Sequence, residues 1–159
     1  MLYLSEARKE IIMRVLLKPQ EVTALLRARG FKVTPQRLAV YEALSQTAAH
    51  PNAETLYRQL QPFYPTMSLA TVYKALSILC EVGLAQALNV GEESFRYDAK
   101  TVRHPHVRCM QCGRVDDILR ELPAEEMERQ AADETGYEIT DHQYYFFGVC
   151  PACRKAKKH

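Results

Sequence analysis

The spacing of apolar residues predicts that the first half of the chain is helical. Apolar positions three and four residues apart indicate five helices: residues 5–17, residues 20–29, one from Pro35, one from Asn52 to about residue 60, and one from Ser68 to Gly83. Thr34, Asn52 and Ser68 each precede a periodic segment, where a side-chain oxygen can cap the first turn. Gly30 and Gly83 stand where a glycine commonly ends a helix.

After the fifth helix the pattern changes from helical periodicity to alternation. Residues 84–88 and 94–97 flank a turn at residues 90–93 and predict a β-hairpin. Three helices followed by a hairpin are typical of a winged helix-turn-helix module, in which the second helix of the pair reads DNA. The helix from Ser68 takes that position in this chain.

The remaining third of the chain predicts a small unit of strands and a helix. The pattern indicates short strands at 106–109 and 115–119, a helix from residue 123 to about residue 134, and a longer strand over 137–149. That last strand is rich in aromatic residues and suits a subunit interface. Residues 154–159 predict a mobile basic tail. The chain as a whole is therefore expected to be of the α+β class.

Composition favours a folded protein of the cytoplasm. Hydrophobic residues make up 47% of the 159 residues, which is enough to bury a core. No apolar run approaches the roughly 20 residues that span a bilayer, and the first residues lack the pattern of a signal peptide. In a reducing cytoplasm, paired cysteines predict metal ligands rather than disulfides.

Basic residues are concentrated near the amino terminus. The formal net charge is only +2, but the first forty residues contain eight lysines and arginines against three acids, which suits a polyanionic partner. The polar face of the helix from Ser68 is small and weakly basic, and carries Ala70, Thr71, Tyr73 and Lys74. These side chains suit thymine methyls, base edges and phosphates in a major groove. An ordinary solvent-exposed face is the alternative for both features.

Four cysteines form two C-x-x-C pairs, Cys109 with Cys112 and Cys150 with Cys153. A predicted strand, helix and strand separate the pairs, which favours a tetrahedral zinc site that serves folding and assembly. The alternative for the second pair is dithiol redox chemistry, which is disfavoured because no helix is expected after it to lower a thiolate pKa. Cys80, the fifth cysteine, lies in an apolar helical pattern, where packing is its expected role.

A second group of candidate ligands flanks the first cysteine pair. His104 and His106 alternate on a predicted strand, so both rings are expected on one face. Asp98 precedes them at the end of the hairpin, and Asp117 follows on the next strand. Imidazole nitrogen and carboxylate oxygen suit Fe(II) or Mn(II) better than a closed thiolate cage does. The sequence therefore predicts two sites, one structural and one responsive.

Six segments of the chain resemble the ferric uptake regulator (Fur) family of metal-dependent bacterial repressors. In the family's order, they are TPQRLAVYEAL, HPNAETLY, SLATVYKAL, FRYD, HPHVRCMQCGRVDD and FFGVCPAC. The resemblance implies a homodimer that binds a double-stranded DNA operator. Each subunit would have a winged-helix DNA-binding domain, residues 1–97 with a helical extension at its start, and a small α/β dimerisation and metal-binding domain, residues 98–159.

The resemblance also implies the ligands of the regulatory ion, Fe(II) or Mn(II): His50, Asp98, His104, His106 and Asp117. His50 comes from the resemblance alone and belongs to the DNA-binding domain. One ion would then join the two domains and set the orientation of the recognition helices. Aspartate at both carboxylate positions resembles the peroxide-sensing PerR branch of the family, in which iron-catalysed oxidation falls on the residues that match His50 and His104.

Other functions are weighed against this one. The nearest alternative is an iron-responsive repressor of metal uptake genes in the same family. A further family site is not expected, because Arg103, Pro105 and Ala124 replace its ligands and only His142 matches, as a structural or vestigial residue. A zinc hydrolase or deaminase is disfavoured, since neither H-x-E before P-C-x-x-C nor H-E-x-x-H occurs. The protein is therefore not expected to be an enzyme. The only small molecule expected to act on it is peroxide, as a signal. A zinc-ribbon interaction module stays open.

Overall fold

The computed structural model describes residues 16–120 and 122–156. These residues belong to two compact units, one ending at Arg103 and the other beginning at His104. In the two described ranges, no helix is long and apolar enough to cross a membrane.

The amino-terminal prediction lies almost wholly outside the described residues. Of the helix predicted over residues 5–17, the structure describes only Leu16 and Leu17, and neither is helical. The domain boundary between residues 97 and 98 stays a prediction.

In the described part of the first unit, from Leu16 to Arg103, the structure has four helices and a two-stranded sheet. The elements are α1 (Pro19–Ala28), α2 (Pro35–Ser45), α3 (Ala53–Leu60), α4 (Leu69–Glu81), β1 (Gln86–Leu88) and β2 (Arg96–Asp98). The two strands pair antiparallel, with Gln86 opposite Asp98. The order of helices followed by a hairpin is the one that the sequence predicts for a winged helix-turn-helix.

Local sequence accounts for the ends of these helices. The side chains of the three predicted caps each accept a hydrogen bond from the backbone N–H three residues on: Thr34 at 3.2 Å, Asn52 at 2.9 Å and Ser68 at 3.2 Å. Each bond satisfies a donor that has no partner within the helix. Gly30 and Gly83 follow α1 and α4 with φ of +78°, a backbone conformation that residues other than glycine rarely adopt.

Leucines from α1, α2, α3 and α4 form the centre of the first unit. Fully buried are Leu26, Leu44, Leu56, Leu76 and Leu79, the last two from α4. Burying each such side chain contributes about 1.5–3 kcal/mol. Because α4 is held by its apolar face, its polar face remains at the surface.

The described residues of the second unit form a three-stranded sheet and two helices. The elements are β3 (His106–Cys109), β4 (Val115–Asp117), α5 (Ala124–Thr135), β5 (Tyr145–Gly148) and α6 (Pro151–Ala156). The central strand β3 is antiparallel to β4 and parallel to β5. In this register His106 lies opposite Asp117, and Cys109 lies beside Gly148. The sheet therefore carries predicted ligands at both ends of β3.

The strand predicted over residues 137–149 is wrong in length, because only Tyr145–Gly148 is a strand. Its partner β3 has only four residues and follows Pro105, which has no N–H to donate to a ladder of hydrogen bonds. Before β5, the Asp141 side chain accepts a hydrogen bond from the backbone N–H of His142 at 2.7 Å. Such a local bond competes with strand pairing.

The expectation that no helix follows the second cysteine pair is also wrong. Helix α6 begins at Pro151, directly after Cys150, and the N–H of Arg154 donates to the Cys150 carbonyl at 3.0 Å. Proline suits the first position of a helix, which is the local signal for this element. Residues 154–156 of the predicted tail are therefore helical, and residues 157–159 lie outside the described part of the chain.

Candidate metal centres and DNA-reading helix

The four paired cysteines form one cluster in the second unit. The sulfurs of Cys109, Cys112, Cys150 and Cys153 all lie within 4.8 Å of one another. The sulfurs of Cys112 and Cys150 are 3.8 Å apart. Four sulfurs at about 2.3 Å from a tetrahedral zinc ion would be about 3.8 Å apart, so the arrangement fits such an ion.

Backbone hydrogen bonds shape the charge of this cluster. The N–H groups of Cys112, Cys150 and Gln111 point to Cys109 and lower the pKa of its thiol to about 6. The thiol of Cys153 is hydrogen-bonded to the sulfurs of Cys150, Cys112 and Cys109, which raises its pKa to about 12. The backbone N–H groups thus favour a thiolate at Cys109, whereas the neighbouring sulfurs favour the protonated form of Cys153. A divalent cation is the kind of group that stabilises all four sulfurs as thiolates.

The structure changes the argument against a redox role for Cys150 and Cys153. Because α6 follows Cys150, the absence of a helix no longer argues against it. The argument against a separate redox pair is now the position of Cys109, whose sulfur accepts a hydrogen bond from the N–H of Cys150 at 3.3 Å. The two C-x-x-C motifs form a single cluster rather than two independent pairs.

Two imidazoles converge on one carboxylate in the same unit. The Nε2 atoms of His104 and His106 lie 3.1 Å and 3.6 Å from Asp117 Oδ1. Their ring centroids are 4.4 Å apart. His104 lies before β3 rather than in it, so the predicted strand alternation is wrong for this residue. The two rings nevertheless meet at Asp117, as a shared metal ligand set requires.

The first unit holds its own pair of candidate ligands. His50 Nε2 lies 3.5 Å from Asp98 Oδ2. The two residues are only 3% and 5% exposed. Asp98 ends β2, where its Oδ1 accepts a hydrogen bond from the N–H of Lys100 at 2.8 Å. A buried imidazole beside a buried carboxylate supplies the donor types that Fe(II) and Mn(II) take.

His50 lies in a strained part of the backbone between α2 and α3. Its φ is +47°, a conformation that costs a residue other than glycine about 1–3 kcal/mol. Such strain clusters at functional sites, where the surrounding structure supports it. No periodic pattern pointed to His50 in the sequence. The available signal was its place before Pro51, at a break between two predicted helices.

His142 contacts a carboxylate outside these clusters. Its Nδ1 meets Glu128 Oε1 of α5, one helical turn after Ala124. The contact ties the segment before β5 to α5. A structural role for His142 accounts for this pairing.

The proposed DNA-reading residues lie on the polar face of α4. Ala70, Tyr73 and Lys74 are exposed, and Thr71 is half-buried. The Tyr73 hydroxyl donates to Glu54 Oε1 of α3 at 2.6 Å. This bond lowers the pKa of Glu54 and raises the pKa of Tyr73. The face is thus open, with the tyrosine ring held in one orientation.

Comparison with known proteins gives a family and several relatives. Residues 28–147 match the ferric uptake regulator family. The transcriptional regulator PerR of Clostridium acetobutylicum is 46% identical over 134 residues, which cover 84% of this chain and 96% of that protein. The peroxide operon regulator of Bacillus subtilis is 38% identical over 141 residues, which cover 88% and 96%. The crystal structure of the Campylobacter jejuni peroxide stress regulator has a TM-score of 0.63 at 32% identity, covering 82% of this chain and 97% of that one.

These likenesses bear on three expectations from the sequence: the family, the fold class, and a regulator rather than an enzyme. The resemblance and the α+β fold class are confirmed. The relatives bear the names of regulators, which confirms a transcriptional regulator rather than an enzyme. The individual ligands and the DNA-reading residues stay predictions.

Proposed function

Because this chain belongs to the ferric uptake regulator family, we propose that it is a metal-dependent transcriptional repressor that senses hydrogen peroxide. The observation that carries the proposal is aspartate at both carboxylate positions, Asp98 and Asp117, which lie 3.5 Å and 3.1 Å from an imidazole nitrogen in their own units. Relatives named as peroxide regulators support the same reading. As a repressor of transcription, it would act in the cytoplasm, where bacterial DNA lies.

One regulatory ion, Fe(II) or Mn(II), would be held by five residues: His50, Asp98, His104, His106 and Asp117. Each unit supplies a ligand group whose members contact one another within that unit. An ion bound by both groups favours one orientation of the DNA-binding unit over all others. DNA that prefers that orientation is then bound more tightly when the ion is present.

The cysteine cluster would hold structural Zn(II) and support a homodimer. Four protein sulfurs fill a tetrahedral site and leave no position for a substrate. The strand β5, which precedes Cys150, exposes Phe146 and Phe147 by 44% and 55%. Exposed aromatic side chains of this size mark an interaction surface. A second copy of the chain is the partner that the family implies.

Operator binding would use the polar face of α4. The methyl groups of Ala70 and Thr71 suit contact with thymine methyls. Lys74 suits a phosphate, and Tyr73 a phosphate or a base edge. Two copies of this helix in a dimer would read two half-sites of one double-stranded operator.

Peroxide sensing would act through His50 and His104. Fe(II) held by these residues would supply an electron to peroxide; overall, one oxygen atom of peroxide would be added to the imidazole of His50 or His104, and the other would leave as water. An imidazole that gains oxygen loses the basicity that makes it a ligand, so the repressor loses its ion and then its operator. The thiolates need not take part.

The test is oxidation of the iron-loaded protein under anaerobic conditions. Protein loaded with Fe(II) is exposed to a small excess of peroxide, and DNA binding and the masses of the peptides containing His50 and His104 are measured. We expect the gain of one oxygen atom in these peptides together with loss of DNA binding. Protein loaded with a divalent ion that does not change oxidation state is the matched control. Unchanged masses with retained DNA binding would favour the iron-responsive repressor instead.

A further inference from the structure

The backbone of His50 requires support from elsewhere in the first unit. Its φ of +47° is in the left-handed region, and the next residue is Pro51. Residues other than glycine rarely adopt the left-handed region, and a following proline restricts the backbone further. The conformation that turns the His50 ring towards Asp98 is therefore not the one that the local sequence prefers.

Arg96 supplies a direct contact to this strained residue. Its Nη1 donates to the His50 carbonyl oxygen at 3.2 Å. The guanidinium is in turn held by Glu92, which accepts from Nε at 2.6 Å and from Nη2 at 3.0 Å. A two-bond contact of this kind orients the plane of the guanidinium. Glu92 thus fixes the group that holds the His50 carbonyl.

The same hairpin makes two further hydrogen bonds to the segment that follows His50. The N–H of Tyr97 donates to the Pro51 carbonyl at 3.0 Å. The Asn52 side chain donates to the Ser94 hydroxyl at 3.4 Å. Residues 94–97 therefore hold residues 50–52 at three successive positions.

We propose that Arg96, held by Glu92, is a positioning residue that keeps His50 in its metal-binding conformation and so sets the metal affinity of the regulatory site. The proposal rests on the proposed function, because it takes His50 to be a ligand. Arg96 itself does not touch the ion in this proposal. Its effect passes through the His50 carbonyl and backbone to the imidazole, and changes how often the ring is in place to bind.

The first test is the Mn(II) affinity of the zinc-containing protein, measured from the electron paramagnetic resonance signal of free Mn(II). We expect Arg96→Gln to weaken binding on the order of 10-fold, the lower end of what residues supporting metal ligands commonly contribute. Glu92→Gln should weaken it less, and the double variant should be no weaker than Arg96→Gln, because both act on one chain of contacts. Arg129→Gln, which breaks an arginine–glutamate pair in α5, is the matched control and should leave the affinity unchanged.

A second arm separates positioning from general stability. In the His50→Ala background, Arg96→Gln should cause no further loss of Mn(II) affinity, because Arg96 acts on the ion only through the His50 imidazole. An equal loss in both backgrounds would show that Arg96 acts elsewhere and overturn the proposal. In the metal-free, zinc-containing protein, the backbone amide resonance of His50 should shift in Arg96→Gln and not in Arg129→Gln.

The outcomes also distinguish this proposal from the proposed function. If His50→Ala binds Mn(II) as tightly as the natural protein does, His50 is not a ligand and the proposed regulatory site is wrong. If His50→Ala binds weakly but Arg96→Gln binds normally, only the positioning role is wrong. Should Arg96→Gln fail to fold, Glu92→Gln decides, and an unchanged affinity in that variant contradicts the proposal.

Discussion

Asp117 is the residue on which the two imidazoles of the second unit converge. It lies opposite His106 across β3 and β4, and its Oδ1 is also the neighbour of His104. The short aspartate side chain limits how far the carboxylate reaches from the strand. A glutamate at this position would move its oxygens by one carbon–carbon bond and change the distances to both rings.

We predict that Asp117→Glu keeps zinc and the dimer but lowers peroxide sensitivity. The longer side chain still supplies a carboxylate, so metal binding survives while the geometry beside His104 changes. The measurement is the rate at which the peptide containing His104 gains oxygen in iron-loaded protein. Asp116→Glu is the matched control, because Asp116 on the same strand pairs with Arg114 at 2.7 Å. Equal rates in Asp117→Glu and the natural protein would contradict the prediction.

Lys74 provides a test of the DNA-reading face at the same scale. Lys74→Ala should weaken binding to operator and unrelated DNA alike, because a phosphate contact carries no sequence information. The slope of log affinity against log salt should fall by about 1. Fluorescence anisotropy at several salt concentrations measures both. Lys155→Ala, an exposed lysine of α6, is the control. Unchanged affinity in Lys74→Ala would mean that another face reads DNA.

At the scale of elements, the cysteine cluster connects the carboxyl ends of two parallel strands. Cys109 ends β3, and Cys150 lies between β5 and α6. The N–H of Met110 donates to the Gly148 carbonyl at 2.7 Å, so the backbone already joins the two strands beside the sulfurs. A metal ion at the cluster would add a link between β3, β5 and α6. We expect this link to reinforce the position of the short strand β5 and its exposed aromatics.

Cys150→Ser should therefore lose both zinc and the dimer. Serine cannot replace a thiolate in a four-sulfur zinc site, and β5 would lose its attachment to the first C-x-x-C motif. Metal analysis and sedimentation measure the two losses. Cys80→Ser is the matched control: Cys80 is half-buried in the first unit, and burial raises the pKa of its thiol. A Cys150→Ser dimer that retains zinc would disprove the assignment.

The elements differ in how well the sequence predicted them. Helices α2, α3 and α4 begin after their predicted caps, because a cap and its N–H are three residues apart. Strand β5 is shorter than predicted, because its length depends on β3, which lies about forty residues away. Helix α6 was missed, although Pro151 is a signal for a helix start.

At the scale of the whole molecule, the proposed function requires the two units to respond to one regulatory ion. Each unit carries its own imidazole and carboxylate group: His50 with Asp98 in the first, and His104 and His106 with Asp117 in the second. The cysteine cluster belongs wholly to the second unit. Removal of the regulatory ion should therefore change DNA binding without dissociating the dimer.

We predict that a chelator of moderate strength abolishes operator binding while the zinc content and dimer remain. The four-thiolate site retains its ion more strongly than a site of mixed nitrogen and oxygen ligands does. DNA binding with and without Mn(II) added back is measured by gel shift, and the oligomeric state by sedimentation. DNA binding that does not respond to the chelator would contradict a metal-dependent repressor. The complete absence of DNA binding would favour a zinc-ribbon interaction module.

The sequence by itself determined the types of ligand and the local starts of the helices. Two C-x-x-C pairs, the histidines beside them and the caps at Thr34, Asn52 and Ser68 are patterns within a few residues of the chain. Only the tertiary structure decided that all four sulfurs meet, that His104 reaches Asp117 from outside its strand, and that Arg96 holds the carbonyl of His50. The physical reason is range: a cap is satisfied by its neighbours, whereas a contact between residues forty apart exists only once the core has packed.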